Sequence, residues 1–585
     1  MDLMWSFELK QKDVGESGQS YHWTDGLNST LSFTSHRDMH VWQSEKLHIG
    51  VLGRIRPYGQ PYPNQSDLEW LENLWLEEPD PAAFYPKISG FFILLLGCRR
   101  SGQLKMINDH VGALPLYWRH QAGTTQAGTR LAYVAGDDAS VSPQSVYNYF
   151  YYHCIPGPYT LYANVQKLLP GSGISLSEQS VKPLALYIPR YDVDTDIQAL
   201  QRECFSLVEK AVAWNAGPEC GAFLSGGLDS STVAGMLAKQ QTPAKTFSIG
   251  FHAKGYDETP YAEITAKHFT TEHLTHYLEP GEITEHFIEV AAAFDQPFGN
   301  SSALAAYICA KFAKQHGVSV LLAGDGGDEL FGGNERYAKQ KIFEVYHNLP
   351  GWLRGTADAL FYDSPLGQLP VGKKVRSYIQ QARVPMPHRL HTYNFLKRMD
   401  PASMFTDNVW QAVDPNVPGE MYQQRYDACP AADMLERMLY LDWKFTLADN
   451  DLVKVTQMCE LAGVEVRFPL IEKELVDFSC RVPSSEKLPG NKLRYFYKNS
   501  FKGFLADETL NKSKHGFGLP FGVWMKQEPA LQALTNELLT SFKTRGIMQP
   551  EFVDQAMHIY QQGHQGYYGE LIWIMLVFEA WMQRQ

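Results

Sequence analysis

The sequence predicts an α/β protein of two domains, and three patterns predict it. Residues 1–190 alternate short apolar runs with turns and carry little helical periodicity, which reads as a mainly sheet-built, layered domain. From residue 197 to the end of the chain, strands first alternate with helices, the pattern of a parallel sheet covered on both faces. Beyond about residue 335 the chain becomes helical and aromatic-rich with no clear strand. At 585 residues the chain is long enough for each domain to bury its own core.

Taken in order, the first domain offers strands at Leu47–Ile55, Gly90–Gly97, Leu104–Asn108, Leu131–Ala135 and Gly173–Leu176. Tyr187–Asp196 is polar and Pro-interrupted, as a linker would be. The second domain opens on a helix at Ile197–Trp214 and then gives buried strands at Ala222–Leu224, Thr246–Phe251 and Val318–Leu322. In such a sheet, ligands sit outside the carboxyl ends of the strands.

Two loops lie at those ends. Ala222–Leu224 breaks into Ser225-Gly226-Gly227-Leu228, and Asp229-Ser230-Ser231 opens an Ala/Val/Met-rich helix. Glycines let successive N–H groups face one spot, three hydroxyls add donors, and a helix N-terminus favours negative charge. No Gly-Lys-Ser/Thr follows and no Gly-x-Gly-x-x-Gly is present, so neither common nucleotide motif applies. Asp229 would repel a phosphate unless a divalent cation lay between them, which points to Mg²⁺ and a polyphosphate. After Val318–Leu322 comes the second loop, Gly324-Asp325-Gly326-Gly327-Asp328-Glu329, again glycines for close approach and hard oxygen donors for Mg²⁺.

The composition narrows the class. A net charge of -12 offers nothing to nucleic acid or an anionic membrane surface. The eight cysteines are scattered, no two closer than 16 residues, so neither a CxxC knuckle nor a disulfide framework is present and a reducing compartment is expected. The N-terminal MDLMWSFELKQK has no apolar h-region, and runs such as Phe91–Leu96 and Leu571–Phe578 are too short to span a bilayer; a cytoplasmic chain is expected. His268, His273 and His276 have no standard metal-ligand spacing and read as a solvated segment.

SGGLDSS, SIGF and GDGGDELFGG together resemble the asparagine-synthetase superfamily, and the resemblance continues through Asp295–Phe298, Leu452–Val455, Gly463–Leu470 and Lys514–Gly518. In the first domain, Asn108–Tyr117 is similar to the family's Arg-Asp-Arg-x-Gly-x-Lys-Pro-Leu-Tyr signature, with several substitutions. The resemblance implies an Ntn-hydrolase-like glutaminase domain joined to an ATP-dependent synthetase domain. Its chemistry is amide formation in which a carboxylate attacks the α-phosphorus of ATP, pyrophosphate leaves, and an amine displaces AMP. It further implies that residues 225–231 hold the leaving pyrophosphate and that Asp229 and Asp328 hold Mg²⁺. Phe223, Ile249 and Gly324 then line the adenine side, Lys514 neutralises charge on the α-phosphate, and Asp325 with Asp451 orients or deprotonates the amine. Glu465 and Arg467 read as a structural ion pair.

Set against the family pattern, the first domain looks like a glutaminase scaffold without glutaminase chemistry. Glutamine-dependent members carry a cysteine directly after the initiator Met, where this chain has Asp2, and an Asn-Gly-Glu that reads here as Leu52-Gly53-Arg54. Leu52 has no donor for an oxyanion. Ammonia-dependent asparagine formation, β-lactam synthesis and lasso-peptide cyclisation all dispense with glutamine; a non-catalytic ATP-binding module is a further alternative. At Asp325 the β-lactam synthetases carry a Tyr, which separates this chain from them. Phe298–Ala303, GDGGDELFGGNERYA and Gly566–Trp573 are similar to lasso cyclases. That resemblance implies a precursor peptide as substrate, and a leader peptidase and leader-recognition protein as partners. Aromatic residues over 335–445 would suit a peptide-gripping surface.

Overall fold

The computed structural model describes residues 6–10, 19–24, 30–64, 66–99, 103–121, 123–177, 180–253, 255–347, 349–362, 370–512, 518–563 and 565–584. Among the described residues the first part of the chain supplies twelve strands: β1 (Ser6–Lys10), β2 (Gln19–Thr24), β3 (Thr30–Ser35), β4 (His40–Gln43), β5 (Leu47–Pro57), β6 (Ile88–Cys98), β7 (Gln103–Asn108), β8 (Tyr117–Gln121), β9 (Thr124–Gly128), β10 (Gln166–Lys167), β11 (Ser172–Ser177) and β12 (Ser180–Ala185). They form two six-stranded sheets, ordered β1-β2-β3-β9-β8-β10 and β12-β11-β7-β6-β5-β4. Pairing is antiparallel except between β3 and β9.

The apolar run of β6 is buried along its length because it is covered on both faces. Side chains alternate across a strand, so Ile93 and Leu95 join Tyr21, Trp23 and Phe33 between the two sheets. Leu94 and Leu96 face the other way, into a core with Leu71 and Trp75 of the helix Glu69–Glu77. The strand expected at Leu131–Ala135 is instead the single helical turn Ala132–Ala135; Leu131, Val134 and Ala135 are buried on one side, a helical spacing that so short a run does not reveal.

The second part holds β13 (Cys220–Phe223), β14 (Lys245–Phe251), β15 (Glu272–Leu278), β16 (Val320–Leu322) and β17 (Glu465–Arg467) in one parallel sheet ordered β15-β14-β13-β16-β17. The chain runs outward from β13 through β14 to β15 and then returns to the other side of β13. Strand order therefore reverses between β13 and β16, and a crevice opens at their carboxyl ends. β17 corrects the expectation of no strand beyond residue 335; three residues are too few to show a period. Among the described residues no helix is long and apolar enough to cross a membrane; Gln565–Met582, whose Leu571–Phe578 are all buried, is a core helix.

Candidate active site

Both sequence-predicted loops leave from the crevice. β13 ends at Phe223, and the chain turns through Ser225–Gly227 into the helix Leu228–Gln240, with Gly227 at its N-cap. Ser225 and Ser230 share a hydroxyl–hydroxyl hydrogen bond of 3.0 Å, and the Gly227 N–H donates to the Ser225 oxygen at 3.3 Å. From β16 the second loop passes over the first so closely that a Cβ on Gly324 would lie 2.7 Å from the Ser230 nitrogen. One on Gly327 would lie 2.2 Å from the Asp229 carboxylate. Glycine is required there by contact between the loops.

The loops wall a cavity of about 420 Å³. Of the predicted nucleotide-side residues, Phe223, Ser225, Gly227, Leu228, Asp229, Ser230, Ile249 and Gly324 line it, as do Asp325, Asp328 and Asp451. Gly226 lies beneath, against Tyr261 and Ala262. Ser231 turns away into the protein, where its hydroxyl bonds Thr265 at 2.8 Å, so it offers the loop no side-chain donor. Lys514 falls outside the described residues, as does Asp2.

Asp229 and Asp328 converge on one cation, Arg494. Its guanidinium contacts Asp229 Oδ1 at 2.5 Å and also touches Asp328. Burial raises the Asp229 carboxyl above its ordinary pKa and the arginine opposes that shift. No motif marked Arg494: it arrives from a distant segment whose backbone pairs with Gly332, the Arg494 N–H donating to that carbonyl at 3.2 Å. Lys498 and Lys512 also line the cavity, the Lys512 ammonium standing 3.4 Å from the Ser225 carbonyl.

Asp451 ends the π-helix Trp443–Asp451, a helix type often found at functional sites. Lys454 bonds its carboxylate at 2.9 Å. Burial lifts the Asp325 carboxyl to about 6, helped by Asp451 and opposed by Lys454. Burial and then Asp451 hold the Glu329 carboxyl well above the usual carboxylate range. Among the described residues no group of three or more His, Cys, Asp or Glu is arranged to hold a metal ion. Asp229 and Asp328 are a pair already sharing a positive centre, and two carboxylates with substrate phosphates and water are a usual Mg²⁺ donor set. The residues present fit that ion.

Elsewhere, Leu52 is fully buried between the two first sheets, and the Arg54 guanidinium is engaged by Asn215 and the Trp214 carbonyl. Arg467 and Glu465, both on β17, pair at 2.7 Å. His268 bonds the Phe504 carbonyl, His273 bonds Thr246, and His276 bonds Glu282. Within 335–445, Tyr337, Tyr422 and Tyr426 pack in one buried cluster, while Trp352 and Tyr393 are exposed.

A family model described as asparagine synthase matches residues 204–583, and one described as a glutamine amidotransferase domain matches residues 53–188. Asparagine synthetase [glutamine-hydrolyzing] 1 of Bacillus subtilis is 24% identical over 548 residues, covering 91% of this chain and 83% of that protein. Asparagine synthetase [glutamine-hydrolyzing] 3 of the same organism is 22% identical over 486 residues, covering 79% and 72%.

Proposed function

The chain belongs to the asparagine synthase family and is an ATP-dependent carbon–nitrogen ligase forming AMP and pyrophosphate; from that premise we propose that it is a lasso-peptide cyclase. It adenylates an Asp or Glu side chain of a precursor peptide and joins it to that peptide's own N-terminal amine. The observation that carries this reading is an acidic crevice between the two loops beside a glutaminase-like domain in which Leu52 and Arg54 stand where the family has its glutaminase donors. Leu52, where an oxyanion donor is needed, is apolar and sealed in a core, and Arg54 is spent on Asn215 and Trp214. The amine must therefore come from a source other than glutamine.

In this reading the N–H groups and hydroxyls of Ser225–Ser230 hold the departing pyrophosphate at the helix N-terminus. Phe223 and Ile249 pack on the adenine side. Asp229 and Asp328 would hold Mg²⁺, which supplies charge neutralisation across the phosphates. Arg494, Lys498, Lys512 and Lys514 stabilise the charge that develops as the peptide carboxylate bonds to the α-phosphorus. Asp325, facing Asp451 across Lys454, takes the proton released when the amine nitrogen bonds to the acyl carbon and AMP leaves.

Asp325 works only when deprotonated, so with its carboxyl near 6 the rate of amide formation should rise with pH through about 6. Asp325→Asn should be slow and should lose that inflection in a steady-state pH profile. An unchanged inflection would assign it to another group.

The substrate is tested with purified chain, Mg²⁺·ATP and a linear peptide bearing a free N-terminus and one internal acidic side chain. A product lighter by one water, with matching pyrophosphate, is expected, and acetylating the N-terminus should abolish it. A leader peptidase and a leader-recognition protein are the partners such a substrate calls for, and adding them should raise the yield from a precursor that carries its leader. The relatives are named as glutamine-hydrolyzing asparagine synthetases, which favours asparagine as product; with Leu52 and Arg54 in place of the glutaminase donors, the second reading is asparagine formation from free ammonia. Pyrophosphate release with aspartate and ammonia, and none with any such peptide, would replace the first reading by the second.

A further inference from the structure

Three consecutive charged residues of the synthetase part, Glu472, Lys473 and Glu474, are almost wholly buried against the glutaminase-like domain. Arg56 of β5, itself fully buried, meets both acids: Nη2 lies 2.7 Å from Glu472, and the two terminal nitrogens grip Glu474 at 2.8 and 2.6 Å. Tyr62 and Asn215 donate to the second Glu472 oxygen, and Ser89 and the Gly59 N–H donate to Glu474. Lys473 donates to the carbonyls of Tyr85 and Ile88, each at 2.9 Å. Every charge in this cluster has partners, a condition under which buried ions hold one arrangement.

The residue before this cluster is Ile471. Its carbonyl accepts a hydrogen bond of 2.8 Å from His110, within the Asn108–Tyr117 signature of the glutaminase-like domain. Its side chain lies directly beneath Gly326, in the middle of the second acidic loop. A Cβ on Gly326 would fall 1.9 Å from the Ile471 Cγ2, and Gly326 has φ +100°, open to glycine alone at low cost. The loop therefore rests on Ile471 between Asp325 and Asp328. A second set of contacts reaches the opposite wall. Lys167 of β10 bonds Asp449 at 2.9 Å, and Lys444 donates to the carbonyls of His110 and Pro170; both Asp449 and Lys444 lie on the π-helix that ends in Asp451.

The structure assigns the glutaminase-like domain a positioning role in the reaction of the other domain. Anchored by Arg56, it fixes Ile471 under Gly326 and so sets where Asp325 and Asp328 stand relative to the pyrophosphate loop. A domain without its own chemistry is then required for that of its neighbour. This rests on the adenylation reading above.

The test is binding of an α,β-methylene ATP analogue with Mg²⁺, followed by calorimetry on the full chain at a temperature where each variant is folded. Ile471→Leu conserves volume and removes the Cγ2 methyl beneath Gly326, so it keeps the fold at small cost. It and Ile471→Ala should weaken Mg²⁺-dependent binding about tenfold, as loss of a supporting contact behind a metal ligand does. Ile471→Val keeps that methyl and should bind as the unaltered protein does. Ile174→Ala, an equal truncation between the two N-terminal sheets, should lower the melting temperature without changing affinity. Unchanged binding in Ile471→Leu, or equal weakening in Ile174→Ala, overturns the positioning role alone. An unaltered protein that does not bind the analogue overturns the adenylation reading and this inference with it.

Discussion

Asp229→Asn is expected to raise the Mg²⁺ concentration needed for half-maximal pyrophosphate release by about a hundredfold, at the upper end of what altering a metal's surroundings costs. Asp229 and Asp328 contribute the two carboxylates that meet at one cation, and an amide at either position halves their charge. The folded protein should tolerate the change well, because Arg494 keeps Asp328 as a partner and one buried charge is removed rather than added. A melting temperature near that of the unaltered protein together with the shifted Mg²⁺ dependence separates loss of the ion from loss of the fold. An unchanged Mg²⁺ dependence would remove Asp229 from the metal site.

Arg56→Met should cost about 3–5 kcal/mol of stability, measured by urea unfolding, because it leaves Glu472 and Glu474 buried without their cation. Burial alone would lower the arginine's pKa, yet Glu472 and Glu474 carry it above its ordinary value. The same pairing holds the Glu474 carboxyl below its usual 4.5 against the effect of burial. A depressed carboxyl stabilises the fold above its unfolded value and loses that contribution as pH falls through its folded value. The difference between the two proteins should therefore be full at neutral pH and should shrink as pH falls below about 4.5. A difference under about 1 kcal/mol, the worth of an exposed pair, would contradict the burial of this network.

Sequence signals of short range mark their sites, and those of long range do not. The anion loop and the acidic loop carry their chemistry within a few residues, and both lie at strand ends where an alternating α/β pattern puts them. Phe223, Ile249 and Gly324 were reached through the family resemblance and line the same cavity. Arg494 was missed because nothing near it in sequence is acidic or glycine-rich; only folding brings it 265 positions back to Asp229. Ser231 illustrates the opposite error: a hydroxyl in a phosphate-loop motif, placed one step further round the helix than Ser230, faces Thr265 and the core. β17 and the turn Ala132–Ala135 are short elements whose state is decided by neighbours, Val320–Leu322 for one and the buried face of Leu131 and Val134 for the other.

In the adenylation reading, a carboxylate of the substrate is activated as its adenylate before an amine arrives. Labelling that carboxylate with ¹⁸O tests it directly, since the bond formed to the α-phosphorus is retained when the amine displaces AMP. Mass spectrometry of the nucleotide after turnover should find one ¹⁸O in the AMP phosphate and none in pyrophosphate. Label in inorganic phosphate, with ADP as the nucleotide product, would contradict it.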